Sequence, residues 1–140
     1  MRIFIAAALA MAAAACTDDD ADRPLREANA WSLSAASPLG PPVSCISRAR
    51  IQGRSVRDDR TIDFQLDDGS IMRNRLPYAC SGLLRTNRFT YRTALDRLCS
   101  VDIIMLVQPD GTAGPSCGLG QFQPVAVPQR QGALPGARRR

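Results

Sequence analysis

The alternation of apolar and polar positions is clearest in the segment TIDFQLDDGSIMRNRL, residues 61–76. Ile62, Phe64 and Leu66 alternate with polar residues, which is the period of a strand with one buried face. The DDG that follows predicts a three-residue loop, with its glycine at positive φ and a bulged turn. The segment therefore predicts a β-hairpin.

The loop length of this hairpin determines which residues face each other. A three-residue loop places Phe64 opposite Met72 and Asp63 opposite Arg73, so that the apolar side chains share one face. The other face then carries a favourable cross-strand pair of opposite charge. A two-residue loop would instead put Phe64 opposite Arg73. We expect the first register, with an exposed Asp63–Arg73 pair that contributes about 0–1 kcal/mol.

Short strand patterns continue on both sides of the hairpin. ARIQGRSV precedes it, with RDDR as a turn formed by the side chains of Asp58 and Asp59. NRFTYRT, VDIIMLVQ and GLGQFQPV follow it, and we expect the second of these to be a buried strand. ALDRLC fits either a helical turn or a bulged strand start. Gly118 and Gly120 are expected to allow close approach of the backbone.

These patterns together indicate the fold class. Five or six short strands, with a turn roughly every ten residues, predict an all-β protein. The expected architecture is a small antiparallel sheet or a partly closed barrel, formed by residues 43–127.

The N-terminal residues have the pattern of a secretory signal. Arg2 provides a positive start, and an uninterrupted apolar run extends from Ile3 to Ala15. This run is too short to cross a bilayer, which takes about 20 apolar residues. We therefore expect residues 1–15 to be a signal peptide that is removed on export.

Cys16 follows a run of small residues and resembles the cysteine of a bacterial lipobox, whose thiol takes a diacylglycerol before cleavage. The usual lipobox has leucine three positions before the cysteine, whereas this chain has Ala13. The alternative is an ordinary cleaved signal that leaves Cys16 as a stray thiol. The first interpretation predicts a lipid-anchored protein. In the bacterial sorting pattern that this segment resembles, an aspartate directly after the lipidated cysteine favours retention in the inner membrane. Thr17 stands at that position here, so we expect the outer membrane, on its periplasmic face.

Two further segments lack the composition of a folded domain. Residues 16–42 are acidic at first and then rich in Ser, Ala, Pro and Gly, which predicts a flexible tether. Residues 128–140 contain Pro and Gly and end in a run of arginines, which predicts a basic disordered tail.

Cysteine content indicates how a domain of this size is stabilised. The chain has 5 cysteines, and with Cys16 set apart an even number remains, which predicts two disulfides in an exported chain. Each would contribute about 2–4 kcal/mol. A zinc site is disfavoured, because no two of these cysteines are close in sequence and the chain has no histidine. We expect the nested pairing, Cys45 with Cys117 and Cys80 with Cys99, since it joins the two ends of the domain.

Four segments of the chain, DDRTIDFQLDDG, NRLPYACSGL, YRTALDRLCSVD and GPSCGLGQFQPV, resemble a family of small exported proteobacterial proteins of the lipoprotein type. The resemblance extends from Cys45 to about Val125. Its most specific parts are the four-cysteine frame and the Cys-Gly-Leu-Gly ending. That family has no assigned activity, so the resemblance implies a fold and a compartment but no catalytic residue.

Missing residue types exclude most catalytic chemistry. Without histidine, the commonest general base and the usual nucleophile pairings are lost. All 18 basic residues are arginines, which excludes P-loop and Schiff-base chemistry. The adjacent carboxylates of Asp58 with Asp59, and of Asp67 with Asp68, fit turns better than an acid–base dyad. We expect no catalytic residue, no metal and no cofactor.

The charge pattern is the one positive indication of function. Residues 43–125 contain eleven arginines and eight aspartates, a net charge of +3 (11 − 8). These arginines are either an ordinary solvated surface or a patch for anionic envelope polymers, since a planar guanidinium bonds both oxygens of a phosphate or carboxylate. The candidate patch comprises Arg48, Arg50, Arg54, Arg57, Arg73, Arg75, Arg85, Arg88 and Arg92. Within it, the leading anion-binding candidates are Arg73, Arg75, Arg88 and Arg92.

The function that these observations predict is that of a non-catalytic cell-envelope lipoprotein. Its expected partners are the membrane, through the lipid anchor, and peptidoglycan, lipopolysaccharide or an envelope protein, but not nucleic acid. One alternative is an envelope enzyme that uses aspartate or hydroxyl groups. Another is an inhibitor of a wall-degrading enzyme, for which a basic target would require an acidic surface.

Overall fold

The computed structural model of the protein describes residues 23–128. The predicted signal peptide (1–15), the lipidation residue Cys16 and residues 129–140 of the predicted basic tail lie outside the described residues. What was inferred for these segments therefore stays a prediction.

Ten short strands and two helices occur along the described residues. The helices are α1 (Arg23–Ala35) and α2 (Leu83–Thr86), and a 3-10 turn spans Arg48–Arg50. The strands are β1 (Ser37–Pro38), β2 (Cys45–Ser47), β3 (Ile51–Asp58), β4 (Thr61–Leu66), β5 (Ile71–Arg75), β6 (Phe89–Tyr91), β7 (Arg97–Cys99), β8 (Ile103–Val107), β9 (Ala113–Gly118) and β10 (Phe122–Ala126).

The strands form three antiparallel sheets. The largest has the order β1-β10-β5-β4-β3, so that β3 is an edge strand. β6, β8 and β9 form a second sheet with β8 in the middle, and β2 pairs with β7 in a third. The prediction of an all-β antiparallel fold is confirmed. Over residues 23–128 the sheets do not close into a barrel. Several strands have only two or three residues, too few to show an alternation of apolar and polar positions in the sequence.

The predicted hairpin is formed by β4 and β5. Phe64 pairs with Met72 and Asp63 pairs with Arg73, which confirms the register expected from a three-residue loop. Gly69 has φ +81, as the bulged turn requires.

The core lies where the five-stranded and three-stranded sheets face each other. Phe64 of β4 contacts Phe122 of β10 edge-to-face, with ring centroids 5.7 Å apart. It also contacts Phe89 of β6, at 6.4 Å. All three rings are almost fully buried. Such aromatic pairs add about 0.5–1.5 kcal/mol to the burial of the rings themselves. The contact with Phe89 joins the two sheets, and the contact with Phe122 packs two strands of the larger sheet against each other.

The strand β8 differs from the buried strand that its apolar sequence predicted. Ile104 and Leu106 are buried, whereas Ile103 and Met105 are 57% and 37% exposed. The three-stranded sheet therefore covers the core with one face only, and its other face is open to solvent over the described residues.

The prediction of close backbone approach holds for one of the two glycines. A Cβ on Gly120 would collide with the carbonyl oxygen of Arg75, whereas Gly118 has open space around it. The backbone of Gly120 is held by the buried side chain of Asn74, which donates to its carbonyl at 2.6 Å and accepts from its N–H at 2.9 Å.

Two disulfides are present, as predicted, but the nested pairing is wrong. Cys45 bonds to Cys99 and Cys80 bonds to Cys117. The first disulfide connects directly opposed residues of β2 and β7, a strand pair that the sequence did not indicate. The second links the loop after β5 to β9, and so fastens the five-stranded sheet to the three-stranded one. By loop-closure entropy each contributes about 4 kcal/mol.

The described part of the predicted tether, residues 23–42, is structured. It contains helix α1 and the short strand β1, which pairs with β10. Pro24 near the helix start and an Arg23–Glu27 ion pair of 3.1 Å favour the helix. Polar residues of α1 also contact the sheet, and these long-range contacts offset the chain entropy that composition alone suggested would dominate.

Candidate functional site

A groove of about 600 Å³ lies beside the edge strand β3, between α1 and α2. Arg54, Ser55, Val56 and Arg57 of β3 form its floor. Residues of α1 form one wall, and residues in and around α2 form the other. The groove therefore exists only because α1 and α2 both lie against β3. Its full lining is Leu25, Arg26, Asn29, Arg54, Ser55, Val56, Arg57, Asp59, Leu84, Arg85 and Asn87.

The wall formed by α1 stands on a buried charge cluster. Asp63 of β4 accepts bonds from Arg73, at 2.7 and 2.9 Å, and from Arg57, at 2.8 Å. Arg57 also donates to Asn29 of α1 at 3.3 Å. Arg73 lies 3.4 Å from both the carbonyl oxygen and the hydroxyl of Ser32. Each arginine thus connects the carboxylate to the helix, and together they hold α1 against the sheet.

This cluster corrects the expectation of an exposed Asp63–Arg73 pair. The pairing itself is as predicted, but the Asp63 side chain is 3% exposed and that of Arg73 is 12% exposed. The burial follows from α1, which was expected to be an unfolded tether and instead covers this face. A charge that is out of water must be paired, so the cluster is structural rather than available to a ligand.

The other wall is held in place by Asp59. Its carboxylate accepts the N–H of Leu84 at 2.8 Å, and its carbonyl oxygen accepts the N–H of Cys80 at 2.6 Å. Leu83, the first residue of α2, is fully buried, and Gly82 before it has φ +90. These contacts, with the Cys80–Cys117 disulfide, bring Arg85 to the groove.

Two groove arginines have no ion pair within residues 23–128. Arg54 lies over the ring of Phe89, with its guanidinium carbon 4.4 Å from the ring centroid, and Arg85 makes no ion pair at all there. Both side chains are exposed. Arg26 and Arg57 also line the groove, so that its lining holds four guanidiniums and a single carboxylate, that of Asp59. The arrangement suits an anion bound by charge-assisted hydrogen bonds.

The four leading anion-binding candidates do not come together. Arg73 is in the buried cluster, and Arg75 is exposed at the end of β5. Arg88 is exposed just before β6. Arg92 lines a separate, smaller cavity of about 260 Å³ beside β6 and β8. None of the four lines the groove beside β3.

Three groove arginines, Arg54, Arg57 and Arg85, belong to the wider patch suggested by the sequence, but Arg26 does not. It was missed because residues 16–42 were interpreted as a tether. The proline near the helix start and the Arg23–Glu27 spacing are the signals that could have indicated the helix and hence Arg26.

Of the paired aspartates, Asp58 and Asp68 act in turns, as the sequence predicted, whereas Asp59 and Asp67 bond to the distant residues Leu84 and Arg50. Asp58 accepts the N–H of Arg60 at 2.7 Å. Asp68 accepts the hydroxyl of Ser70 at 2.6 Å and its N–H at 2.9 Å, and these bonds lower the pKa of Asp68 from 3.8 to about 2. Hydrogen bonds to Asp67 and then Asp68 raise the pKa of Arg50, which joins the 3-10 turn to the hairpin loop.

In residues 23–128, no group of three or more His, Cys, Asp or Glu side chains is arranged to hold a metal ion. No described helix combines the length and the apolar character needed to cross a membrane. No family model, no curated protein and no solved structure matches the chain. The resemblance to small exported proteobacterial proteins therefore stays a prediction.

Proposed function

We propose that this protein is a non-catalytic lipoprotein of the cell envelope that binds an anionic ligand in the groove beside β3. The observation that carries the proposal is the lining of that groove. Arg54 and Arg85 face it without an ion pair among residues 23–128, and Arg26 and Arg57 lie beside them. The solvated guanidiniums of Arg54 on the floor and Arg85 on one wall match the phosphates and carboxylates of envelope polymers.

The chemistry of the lining favours a ligand with both charged and apolar parts. Leu25 and Leu84 are 64% and 37% exposed at the groove, close to the arginines. A ligand that placed its anionic group between Arg54 and Arg85 would also cover these leucines. Lipopolysaccharide and peptidoglycan both carry anionic groups on a larger framework, and they are the two candidates to be tested.

The compartment is partly established. Two disulfides indicate a non-cytoplasmic, oxidising environment. Lipidation of Cys16 and a location on the periplasmic face of the outer membrane are the finer parts of the proposal. Mass spectrometry of the membrane fraction should find acyl groups on an N-terminal Cys16 peptide, and Cys16→Ser should release the folded protein from membranes. A soluble, unmodified product that begins at Cys16 would refute the anchor.

Ligand binding is tested by co-sedimentation with purified peptidoglycan and with lipopolysaccharide vesicles. The protein carrying Cys16→Ser should sediment with one of them at low salt and be released as salt rises, because exposed charges are screened within about 10 Å at 0.1 M. The double variant Arg54→Gln/Arg85→Gln should lose this binding.

The matched control is Arg88→Gln/Arg92→Gln, which removes the same charge from outside the groove. It should bind as the unaltered protein does. Equal loss in the two double variants would mean that net charge and not the groove attracts the polymer. No sedimentation with either polymer at low salt would overturn the proposed ligands.

A further inference from the structure

We propose that the acidic segment Asp18–Asp22 of this same chain is the resident partner of the arginine groove, and that an external anion binds by displacing it. The inference rests on the proposed function in one respect, since it takes the groove to be an anion site. It adds a regulator to that site, with a consequence that can be measured without any external ligand.

The first argument is covalent proximity. Asp18, Asp19, Asp20 and Asp22 lie outside the described residues, one to five positions before Arg23. Leu25 and Arg26, in the first turn of α1, already line the groove. Five residues can span at most about 18 Å. The backbone of all four aspartates therefore lies within about 18 Å of Arg23, at the start of the helix whose first turn lines the groove.

The second argument is charge complementarity. The acidic segment has four carboxylates within five residues, and the groove is lined by four arginines, Arg26, Arg54, Arg57 and Arg85. Arg57 is already paired with Asp63, and the carboxylate of Asp59 accepts the N–H of Leu84 in the α2 wall. Arg54 and Arg85 lack an ion pair over residues 23–128, which leaves them as the natural partners of the segment.

The third argument is the shape of the groove. Its floor is β3, which has a strand neighbour on one side only. Edge strands offer unpaired N–H and C=O groups to an extended chain. An extended acidic segment could therefore use the backbone of β3 as well as the arginines. Acidic peptides of other proteins share this chemistry, but a segment attached by a short linker acts at an effective concentration on the order of millimolar.

Chemical protection of the arginines tests the inference directly. Purified protein is treated with phenylglyoxal, which modifies accessible guanidiniums, and the rate at each arginine is followed by peptide mass spectrometry. Three forms are compared: the unaltered chain, a variant with the four aspartates changed to asparagine, and a variant with the same four changed to glutamate, which keeps the charge. Arg88 and Arg92, both exposed and outside the groove, are internal references.

Arg54 and Arg85 should react several-fold faster in the asparagine variant than in the unaltered and glutamate forms. Arg88 and Arg92 should react equally in all three. High salt should remove the difference. Equal rates at Arg54 and Arg85 in all three forms at low salt would overturn the inference.

Binding of inorganic triphosphate separates this inference from the proposed function. Displacement predicts that the asparagine variant binds triphosphate on the order of tenfold more tightly than the unaltered chain at low salt. If both bind equally, the groove is an anion site without a resident partner, and the inference fails alone. A third outcome is that neither the unaltered chain nor the asparagine variant binds triphosphate, peptidoglycan or lipopolysaccharide, while Arg54 and Arg85 are still protected in the unaltered chain. The segment then occupies the groove permanently, and the proposed function fails.

Discussion

Two pairs of arginines, Arg57 with Arg73 and Arg54 with Arg85, differ in what surrounds them. Arg57 and Arg73 share the buried carboxylate of Asp63 beneath α1. Arg54 and Arg85 face the open groove, exposed and without an ion pair in residues 23–128. The difference shows that α1 determines burial: the arginines that it covers are held in a buried ion cluster, whereas Arg54 and Arg85 remain exposed, and we propose that these two bind a ligand.

Burial explains why the first pair must be matched and the second need not be. A guanidinium removed from water loses several kcal/mol of hydration, which only a nearby carboxylate and further hydrogen bonds can offset. A solvated guanidinium keeps its hydration and costs little to leave unpaired. An arginine that α1 covers must therefore be paired, whereas an arginine that α1 leaves exposed can stay unpaired and could bind a ligand.

The largest expected effect is that of Asp63→Asn, which removes the shared carboxylate. Two arginines are then left under α1 without a counter-charge, and we expect the free energy of unfolding to fall by about 3–5 kcal/mol. Denaturant unfolding measures it. Asp96→Asn is the control, because the Asp96 side chain is 96% exposed. It should change stability by less than about 0.5 kcal/mol. A loss below about 1 kcal/mol for Asp63→Asn would mean that α1 does not bury the cluster.

A smaller effect is expected when the helix side of the cluster is altered. Asn29→Ala with Ser32→Ala removes acceptors that lie 3.3 and 3.4 Å from Arg57 and Arg73. We expect a loss of about 0.5–1.5 kcal/mol for each such bond. Hydrogen exchange should show faster opening of α1, while the β4–β5 hairpin stays protected. Unchanged exchange in α1 would contradict the role given to these contacts.

The groove pair should have almost no effect on stability. Arg54→Gln and Arg85→Gln are each expected to change the unfolding free energy by less than about 0.5 kcal/mol. Arg73→Gln, measured in parallel, should cost several-fold more because it leaves the buried Asp63 with one partner. Thermal or denaturant unfolding of the three single variants gives the comparison. Similar losses in all three would remove the distinction between the two pairs.

The smallest expected effect concerns the exposed charges at the hairpin loop. The pKa of Asp68 is lowered from 3.8 to about 2 by its bonds to Ser70. Its ionised form is therefore favoured in the folded state. Its contribution to stability is complete above pH 3.8 and is lost as the pH falls through about 2. Asp68→Asn should flatten the acid limb of a stability–pH curve slightly and leave neutral pH nearly unchanged. An effect confined to neutral pH would contradict this cause.

The parts of the fold that were predictable from the sequence are local. The register of Asp63 with Arg73 followed from the length of one loop and the alternation on each side of it. The turn roles of Asp58 and Asp68 followed from side chains bonding to their own neighbourhood. In each case the information lies within a few residues, where strand period and turn chemistry apply.

The parts that were missed depend on distant contacts. The Cys45–Cys99 bond follows from pairing of β2 with β7, strands of three residues that are too short to show a period. Helix α1 is held by a carboxylate about thirty residues further along, on a face that the sequence could only describe as polar. The groove could not be predicted without both of these features, since one of its walls is α1 and the other is a loop fixed by the Cys80–Cys117 disulfide.

The central claim, that exposure beside α1 separates binding arginines from structural ones, is tested most directly by nuclear magnetic resonance. The Nε–Hε signals of all arginines are recorded while the protein is titrated with inorganic triphosphate. We predict that the signals of Arg54 and Arg85 shift, and that those of Arg57 and Arg73 stay near their starting positions. Shifts of equal size at Arg88 and Arg92, or none at Arg54 and Arg85, would contradict the claim.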